Sequence, residues 1–222
     1  MKKLFTSESV LEGHPDKLCD LISDKILDCY LSQDKNSRVA CETVVGKDTV
    51  FITGEITSSA NVDVEKIARE TIKSIGYFGE NIDIDYKTCK IITNISKQST
   101  DIALGVEKGA GDQGMMFGFA CNETEELMPL PIFLAHKLAI KLSTIRKNNE
   151  LQYLGPDGKV QITVEYDNDA PKRVDTIVVS VQHKSDIDLD ILKKDIIEKA
   201  ISQVIPSKYI DENTNFFINP SR

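Results

Sequence analysis

The feature that most constrains the fold is an order of predicted elements that occurs twice along the 222 residues. In each half, a helix precedes two strands joined by a tight turn, and a second helix and a short strand follow. Apolar residues at helical spacing predict the helices, and runs of alternating or β-branched residues bounded by turn residues predict the strands. The predicted helices span residues 16–31, 61–75, 129–146 and 189–204, and the predicted strands span 38–45, 49–56, 89–95, 160–166, 174–182 and 216–218.

This repeated order predicts an α+β fold of two similar units, each with an antiparallel or mixed sheet that carries helices on one face. A true duplication is one interpretation, and the ordinary similarity of small α+β domains is the other. We place the first domain at 1–101 and the second at 115–222, with a glycine-rich stretch at 102–114 between them. Composition alone leaves that stretch either a plain linker or a mobile functional loop.

Local signals predict where several elements begin and end. Asn61 is expected to cap the second helix, and Gly76 is expected to end it. Turns are expected at residues 155–158 and 168–171, where glycine, proline, asparagine and aspartate cluster.

Charge and composition exclude several classes of function. A net charge of −8 argues against a general nucleic-acid surface. No apolar run is long enough for a transmembrane helix, and the first residues lack the apolar core of a secretory signal. The five cysteines show no zinc spacing, and free thiols are typical of a reducing compartment. We therefore expect a cytoplasmic protein without a membrane or nucleic-acid partner.

The motif Gly13-His14-Pro15-Asp16-Lys17 places an imidazole, a carboxylate and an ammonium group at a predicted helix start. A helix N-terminus offers free N–H donors to an anion. His14 can stabilise charge that develops on a phosphate, Asp16 can hold Mg²⁺, and Lys17 adds a cation. Ordinary helix capping is the alternative interpretation, because the motif is short.

Other candidate residues are less specific. Glu42 and Glu55 interrupt the apolar neighbours of the first predicted hairpin and could bind an ammonium group or a cation, unless they simply face water. The stretch 109–114 is glycine-rich but has no Gly-Lys-Ser/Thr, so it is not a P-loop. His136 and His183 are interpreted as structural or surface residues.

Taken together, ordered motifs along the whole chain make it similar to S-adenosylmethionine synthetases, also called methionine adenosyltransferases. The stretches that carry the resemblance are Phe5-Thr6-Ser7-Glu8-Ser9-Val10, Glu12-Gly13-His14-Pro15-Asp16-Lys17, Ile22-Ser23-Asp24, Ala40-Cys41-Glu42-Thr43, Gly54-Glu55-Ile56-Thr57, Lys97-Gln98-Ser99, Gly109-Ala110-Gly111-Asp112-Gln113-Gly114 and Phe216-Phe217-Ile218-Asn219-Pro220. Several motifs in the family's order are far more specific than any one of them.

The resemblance implies a reaction in which the sulfur of L-methionine attacks the ribose 5′ carbon of ATP. The triphosphate leaves and is hydrolysed to phosphate and diphosphate. The resemblance assigns catalytic roles to His14 and Lys17, Mg²⁺ binding to Asp16, with two Mg²⁺ per site in the family, and K⁺ binding to Glu42.

The remaining assignments also come from the resemblance. They are methionine binding for Glu55 and Gln98, ATP binding for His14, Asp112, Asp157, Gly158, Lys159 and Arg222, and a gating loop that contains Gln98, Ser99, Thr100, Asp101 and Ile102. The chain departs from the family pattern at Asn219-Pro220-Ser221-Arg222, where a glycine is missing, and between Gly105 and Gly109, where the gating segment is shorter.

The family is built from three similar domains, and this sequence resembles the first two. It lacks the later segments that supply further phosphate contacts and part of the methionine pocket, so we expect a truncated synthetase that is inactive alone. The expected assembly is a homodimer or homotetramer, or an association with a chain that supplies the third domain. The alternative is a non-catalytic regulatory or nucleotide-binding paralogue that assembles with a full-length synthetase.

Overall fold

A computed structural model describes residues 2–79, 82–97 and 114–220. The chain divides into two compact units. One, called here the N-terminal unit, contains residues 15–117, and the other, called the composite unit, joins residues 1–14 to residues 118–222. The first 14 residues thus pack with the second half of the chain, whereas the sequence-based boundary at residue 101 remains a prediction.

The helices and strands of both units follow in chain order. They are β1 (Lys2–Val10), α1 (Pro15–Gln33), β2 (Arg38–Gly46), β3 (Thr49–Thr57), α2 (Val64–Ile75), β4 (Lys90–Ser96), α3 (Leu130–Lys147), β5 (Leu154–Asp167), β6 (Ala170–His183), α4 (Leu189–Ile196) and β7 (Asn215–Ile218). Among the described residues, no helix has the length and apolar character needed to cross a membrane.

The N-terminal unit has a three-stranded sheet in the order β2-β3-β4. Strands β2 and β3 pair antiparallel, whereas β3 and β4 pair parallel because α2 crosses between them. The apolar side chains of α1 and α2 pack on one face of this sheet and form the core of the unit. Its fully buried members include Leu18, Ile22, Ile26, Ile52 and Ile72.

The composite unit has a four-stranded sheet in the order β1-β5-β6-β7. Strand β5 pairs antiparallel with both neighbours, and β7 pairs parallel with β6 after the crossing of α4. Helix α3 contacts β1 and β5. The fully buried residues of this core include Leu134, Leu138, Leu142, Ile162 and Ile177.

Both units repeat one topology, which confirms the predicted α+β fold of two similar units. In each, a helix precedes an antiparallel hairpin, and a second helix leads to a strand that pairs parallel with the hairpin's second strand. The composite unit also contains β1, a strand that is not predicted from the sequence. Residues 2–6 of β1 are exposed at the sheet edge, so the strand carries little of the apolar alternation that marks a buried element.

Two local predictions are wrong. Asp63, not Asn61, caps α2, and its carboxylate accepts the Lys66 amide at 3.0 Å. The expected turn at 155–158 lies inside β5, where the register with β6 shifts between Leu154 and Gly158. The predicted helix at 189–204 is confirmed in its bounds, but it contains a π-helical turn at Ile197–Ile201 between α4 and a short helical segment at Ser202–Val204.

Two other turn predictions are confirmed. Gly76 ends α2 in the left-handed conformation with φ of 107°, as a C-terminal glycine should. Asn168 and Asp169 have φ values of 50° and 61° between β5 and β6, which fits a two-residue hairpin whose turn requires positive φ at both positions.

Candidate functional site

The segment Leu11-Glu12-Gly13-His14 forms a tight turn directly after β1. The His14 amide donates a hydrogen bond to the Leu11 carbonyl at 3.1 Å, which closes the turn. Leu11 is only 3% exposed and belongs to the core of the composite unit. The turn that carries His14 is therefore anchored at its first residue by burial.

This turn also pairs with the irregular start of β5. The Leu11 amide donates to the Gly158 carbonyl at 2.8 Å, and the Gly13 amide donates to the Pro156 carbonyl at 3.1 Å. The pairing continues the register of β1, in which Val10 lies opposite Lys159. The composite unit thus brings together the His14 turn and the Asp157-Gly158-Lys159 stretch, which lie far apart in sequence.

Two glycines make this close pairing possible. A Cβ atom on Gly13 would lie 2.4 Å from the Pro156 carbonyl carbon and 2.5 Å from its oxygen. A Cβ atom on Gly158 would lie 2.9 Å from the Ser180 carbonyl oxygen on the neighbouring strand. Glycine is needed at 158 for close packing rather than for the turn that the sequence suggests.

Lys159 lies on the face of the sheet opposite the core, because its neighbour Val160 is fully buried. Its ammonium group forms an ion pair with the Glu8 carboxylate on β1 at 3.0 Å. Both side chains are about half exposed, at 45% and 52%. Because exposed ion pairs contribute little free energy, Lys159 can exchange Glu8 for a phosphate at low cost.

Glu12 makes two contacts that the sequence does not predict. Its two carboxylate oxygens accept from Arg146 Nη2 at 2.5 Å and from Lys147 Nζ at 2.6 Å, both in the last turn of α3. Glu12 stands in the quoted motif before Gly13, but nothing local marks a partner 134 residues away.

Asp16 and Lys17 belong to the N-terminal unit, since the division between units falls between His14 and Pro15. Pro15 is the first residue of α1, a position that tolerates proline, and the exposed Asp16 lies in the first turn. A carboxylate is favoured there by the helix dipole, so the capping interpretation and a ligand role are compatible.

The donor chemistry around Asp16 fits Mg²⁺ held jointly with phosphate oxygens. Mg²⁺ commonly takes one or two carboxylates and completes its shell with water and phosphate. Within the described ranges, no group of three or more histidine, cysteine, aspartate or glutamate side chains could hold a metal by itself. A site built on Asp16 would therefore depend on oxygens from a bound polyphosphate.

Glu42 and Glu55 lie on the open face of the N-terminal unit's sheet. Their neighbours Cys41 and Ile56 point towards the helices, so the two carboxylates point away from them. Glu42 is exposed opposite Thr53, and the half-buried Glu55 lies opposite Ala40 and Ser96. Within this unit they face outward, as strand alternation permits, and their oxygens are open to a cation.

The other predicted site residues have no described geometry. Gln98, Ser99, Thr100, Asp101, Ile102, Asp112 and Arg222 lie outside the described residues, and their roles remain predictions. The two histidines interpreted as structural have local contacts: His136 Nδ1 lies 2.7 Å from the Ser9 hydroxyl, and His183 Nδ1 lies 2.8 Å from the Lys184 carbonyl.

Comparison with protein-family models gives two matches that together span nearly the whole chain. Residues 2–100 match the N-terminal domain of S-adenosylmethionine synthetase. Residues 107–222 match the central domain of the same enzyme. Both matched segments contain parts of the site, since His14, Asp16, Lys17, Glu42 and Glu55 lie in the first and Asp157, Gly158 and Lys159 in the second. The chain belongs to the S-adenosylmethionine synthetase family.

Proposed function

We propose that this chain contributes to the synthesis of S-adenosylmethionine from ATP, L-methionine and water, with phosphate and diphosphate as the other products. The observation that carries the proposal is the pairing of the His14 turn with residues 156–158. Within one unit, this pairing joins the segment that carries His14 to the segment that carries Lys159, and each segment contains a closely packed glycine, Gly13 or Gly158. The family's leaving group is a triphosphate, which needs this combination of donors and close backbone approach.

His14 and Lys159 are proposed to contact the triphosphate chain. Negative charge builds on the bridging oxygen as the bond to the ribose 5′ carbon breaks, and a positioned imidazole N–H stabilises that charge. Lys159 supplies a full positive charge once it leaves Glu8. Asp157 and Gly158 are proposed to contact ATP through the same stretch of β5.

Lys17 and Asp16 are proposed to serve the same leaving group. Lys17 adds a second cation, and Asp16 holds Mg²⁺, which supplies charge neutralisation when bound to the phosphate oxygens. Glu42 is proposed as a K⁺ ligand, because its carboxylate is exposed on the open face of the sheet. Residues Asp112 and Arg222 are proposed as further ATP contacts.

Methionine is proposed to bind through Glu55 and Gln98. A half-buried carboxylate suits the substrate's ammonium group, because partial burial strengthens the ion pair. Residues 98–102 are proposed as the segment that gates this site.

The five cysteines are free thiols, which supports our proposal that the protein acts in the cytoplasm.

The 222 residues assayed alone are expected to form little S-adenosylmethionine. The matched family models are those of the N-terminal and central domains. We propose that the working assembly is a homodimer or homotetramer, or an association with a chain that supplies a third domain. Light scattering checks for assembly. Exposed apolar residues such as Met115, Met116 and Phe117 offer surface for it.

The test measures binding and chemistry separately. Calorimetry with ATP and Mg²⁺ should show binding to the 222-residue chain, and His14→Ala should weaken it about tenfold, since a lost charge-assisted hydrogen bond costs roughly 1.5–3 kcal/mol. His183→Ala is the control, because His183 lies at the end of β6, where its Nδ1 is 2.8 Å from the Lys184 carbonyl. No nucleotide binding at all would refute the proposal. Turnover of about 1 per second or more by the 222 residues alone would refute the expectation that they form little S-adenosylmethionine.

A further inference from the structure

The carboxylate of Glu12 joins the turn that carries His14 to helix α3. Oε1 accepts from Arg146 Nη2 at 2.5 Å, and Oε2 accepts from Lys147 Nζ at 2.6 Å. Both oxygens are therefore used, each by a different cation. The two cations are consecutive residues of the last helical turn, so the contact fixes the helix end and the turn to each other.

Burial distinguishes this contact from the surface ion pairs of the chain. The Glu12 side chain is 20% exposed and that of Arg146 is 13% exposed. By contrast, Lys137 of α3 and its partner Glu126, which precedes the helix, are both about half exposed. A short, charge-assisted contact between partly buried groups holds its geometry better than an exposed pair. Glu12 can therefore act as a fixed point.

The backbone hydrogen bonds described for the turn come from its strand side. Leu11 is buried in the core, and the Leu11 and Gly13 amides pair with β5. Glu12 is the one anchor among these contacts that comes from α3. His14 follows two residues later and closes the turn through its own amide. Its position thus depends on two elements, β5 and α3.

We propose that Glu12 is a positioning residue, which together with Arg146 and Lys147 fixes the turn that presents His14. The inference rests on the proposed function, because the position of His14 matters for chemistry only if its imidazole contacts the triphosphate. A displacement of about 1 Å in such a group can lower a rate about a hundredfold. The helix end would thereby set the geometry without contacting the substrate.

The first measurement reads the position of His14 without any substrate. The chain has only three histidines, so the ring signals of all of them can be resolved by nuclear magnetic resonance. Glu12→Gln should shift or broaden the His14 ring signals and leave those of His183 unchanged. It should also speed amide hydrogen exchange at Gly13 and His14, whose amides hold the turn, by about tenfold, the change that a loss of roughly 1.4 kcal/mol gives.

The matched control is Glu126→Gln, which removes the exposed ion pair with Lys137 on the same helix and should change none of these signals. Lys147→Gln removes the more exposed partner of Glu12, at 51%, and should give a smaller change of the same kind. It also serves if Glu12→Gln does not fold. Unchanged His14 signals and amide exchange in both Glu12→Gln and Lys147→Gln would overturn the inference.

The second measurement uses inorganic tripolyphosphate as a probe of the anion site. Loss of a negative charge at Glu12 should by itself tighten anion binding, whereas loss of positioning should weaken it. We expect Glu12→Gln to bind tripolyphosphate about tenfold more weakly, a change of roughly 1.4 kcal/mol. Glu12→Asp, which keeps the negative charge, should recover part of the affinity. Tighter binding in Glu12→Gln would overturn the inference.

The two measurements separate this inference from the proposed function. If the unchanged chain fails to bind tripolyphosphate, the proposed triphosphate site is refuted, and the positioning role of Glu12 for that site is refuted with it. If the unchanged chain binds the probe while Glu12→Gln leaves both His14 and the affinity unchanged, the proposed function stands and the positioning role is refuted.

Discussion

The Lys159 ammonium group lies 3.0 Å from the Glu8 carboxylate, on the face of the composite unit's sheet that the helices leave open. The two residues sit on neighbouring antiparallel strands, where Glu8 lies opposite Gln161 and Val10 lies opposite Lys159. The contact is therefore a diagonal cross-strand pair. It holds the Lys159 ammonium group on this face of the sheet, where we propose that a phosphate group displaces Glu8.

We predict that Lys159→Gln weakens tripolyphosphate binding about tenfold, because one charge-assisted contact to the anion is lost. The free energy of unfolding should change by less than about 0.5 kcal/mol, since the pair with Glu8 is exposed. Calorimetry and urea unfolding measure the two quantities. Lys3→Gln, which removes a similar exposed pair with Asp169 at the other end of β1, should alter neither. Equal affinity in Lys159→Gln would remove Lys159 from the site.

A second prediction concerns the link between β5 and the start of α3. The Tyr166 hydroxyl donates to Glu123 Oε2 at 2.7 Å, and the same oxygen accepts the Leu130 amide at 2.8 Å. Burial, with the Glu123 carboxylate as the next cause, raises the pKa of Tyr166. Tyr166→Phe should lower the free energy of unfolding by about 1–2 kcal/mol, because it leaves Glu123 with one donor fewer.

Urea unfolding measures the change, and Glu126→Gln, which removes an exposed ion pair of the same unit, is the control. Because the pKa of Tyr166 is raised by folding, its contribution to stability is complete below about pH 10, the ordinary value for tyrosine, and is lost only as pH rises above that through the higher folded value. A difference between Tyr166→Phe and the unchanged chain that shrinks between pH 6 and 9 would contradict this assignment.

Much of the fold can be predicted because its determinants are local. The apolar stripes of α1 and α3 and the alternation in β3 and β6 lie within single segments, so each predicts its own element. The repeated order of these segments is then enough to predict two similar units. The type I′-like turn at Asn168 and Asp169 is also local, since both residue types tolerate positive φ.

Strand β1 and the expected turn at 155–158 are missed because their structure depends on residues far away in the chain. Strand β1 is an exposed edge whose partner lies more than 140 residues later, so its own sequence gives little signal. The Gly155–Gly158 stretch resembles a turn, but Gly158 is needed because the Ser180 carbonyl oxygen of the neighbouring strand lies against it. Glu12 likewise finds Arg146 only through the fold.

The candidate site likewise has a part that the sequence predicts and a part that only the fold reveals. Motif order identifies His14, Asp157 and Lys159 but does not say that their segments pair, and the backbone hydrogen bonds from Leu11 and Gly13 to Gly158 and Pro156 supply that information. Asp16, Lys17, Glu42 and Glu55 keep the roles that the family resemblance implies, as predictions. Their described surroundings are an exposed helix start and an open sheet face.

A third prediction concerns pH and the loop that follows α1. Asp34 accepts hydrogen bonds from the Ser59 and Asn36 amides, both at 2.9 Å, and from the Ser59 and Ser58 hydroxyls. These donors, with the Ser59 amide first, lower the pKa of Asp34 to about 2. The carboxylate therefore ties the end of α1 to the segment after β3.

The sign follows from the lowered pKa. The stabilising contribution of Asp34 is complete above its ordinary pKa of 3.8 and is lost as pH falls through about 2. Asp34→Asn should therefore be less stable than the unchanged chain at pH 5, and the difference should shrink by pH 2. Urea unfolding at both pH values measures it, with Asp24→Asn on the exposed side of α1 as control. A constant difference would contradict the lowered pKa.

The last prediction tests the close contact on which the site depends. Gly13→Ala would place a methyl carbon 2.4 Å from the Pro156 carbonyl carbon, so the backbone of the turn or of β5 must move. We expect a loss of about 1–3 kcal/mol in the free energy of unfolding, the usual cost of overpacking, together with weaker tripolyphosphate binding. Gly118→Ala is the matched control, because a Cβ atom there meets nothing within 4 Å. Since Gly13 supports both the pairing with Pro156 and the placement of His14, stability and binding should fall together in Gly13→Ala and remain unchanged in Gly118→Ala. Normal binding in a folded Gly13→Ala variant would show that the close approach is not needed for the site.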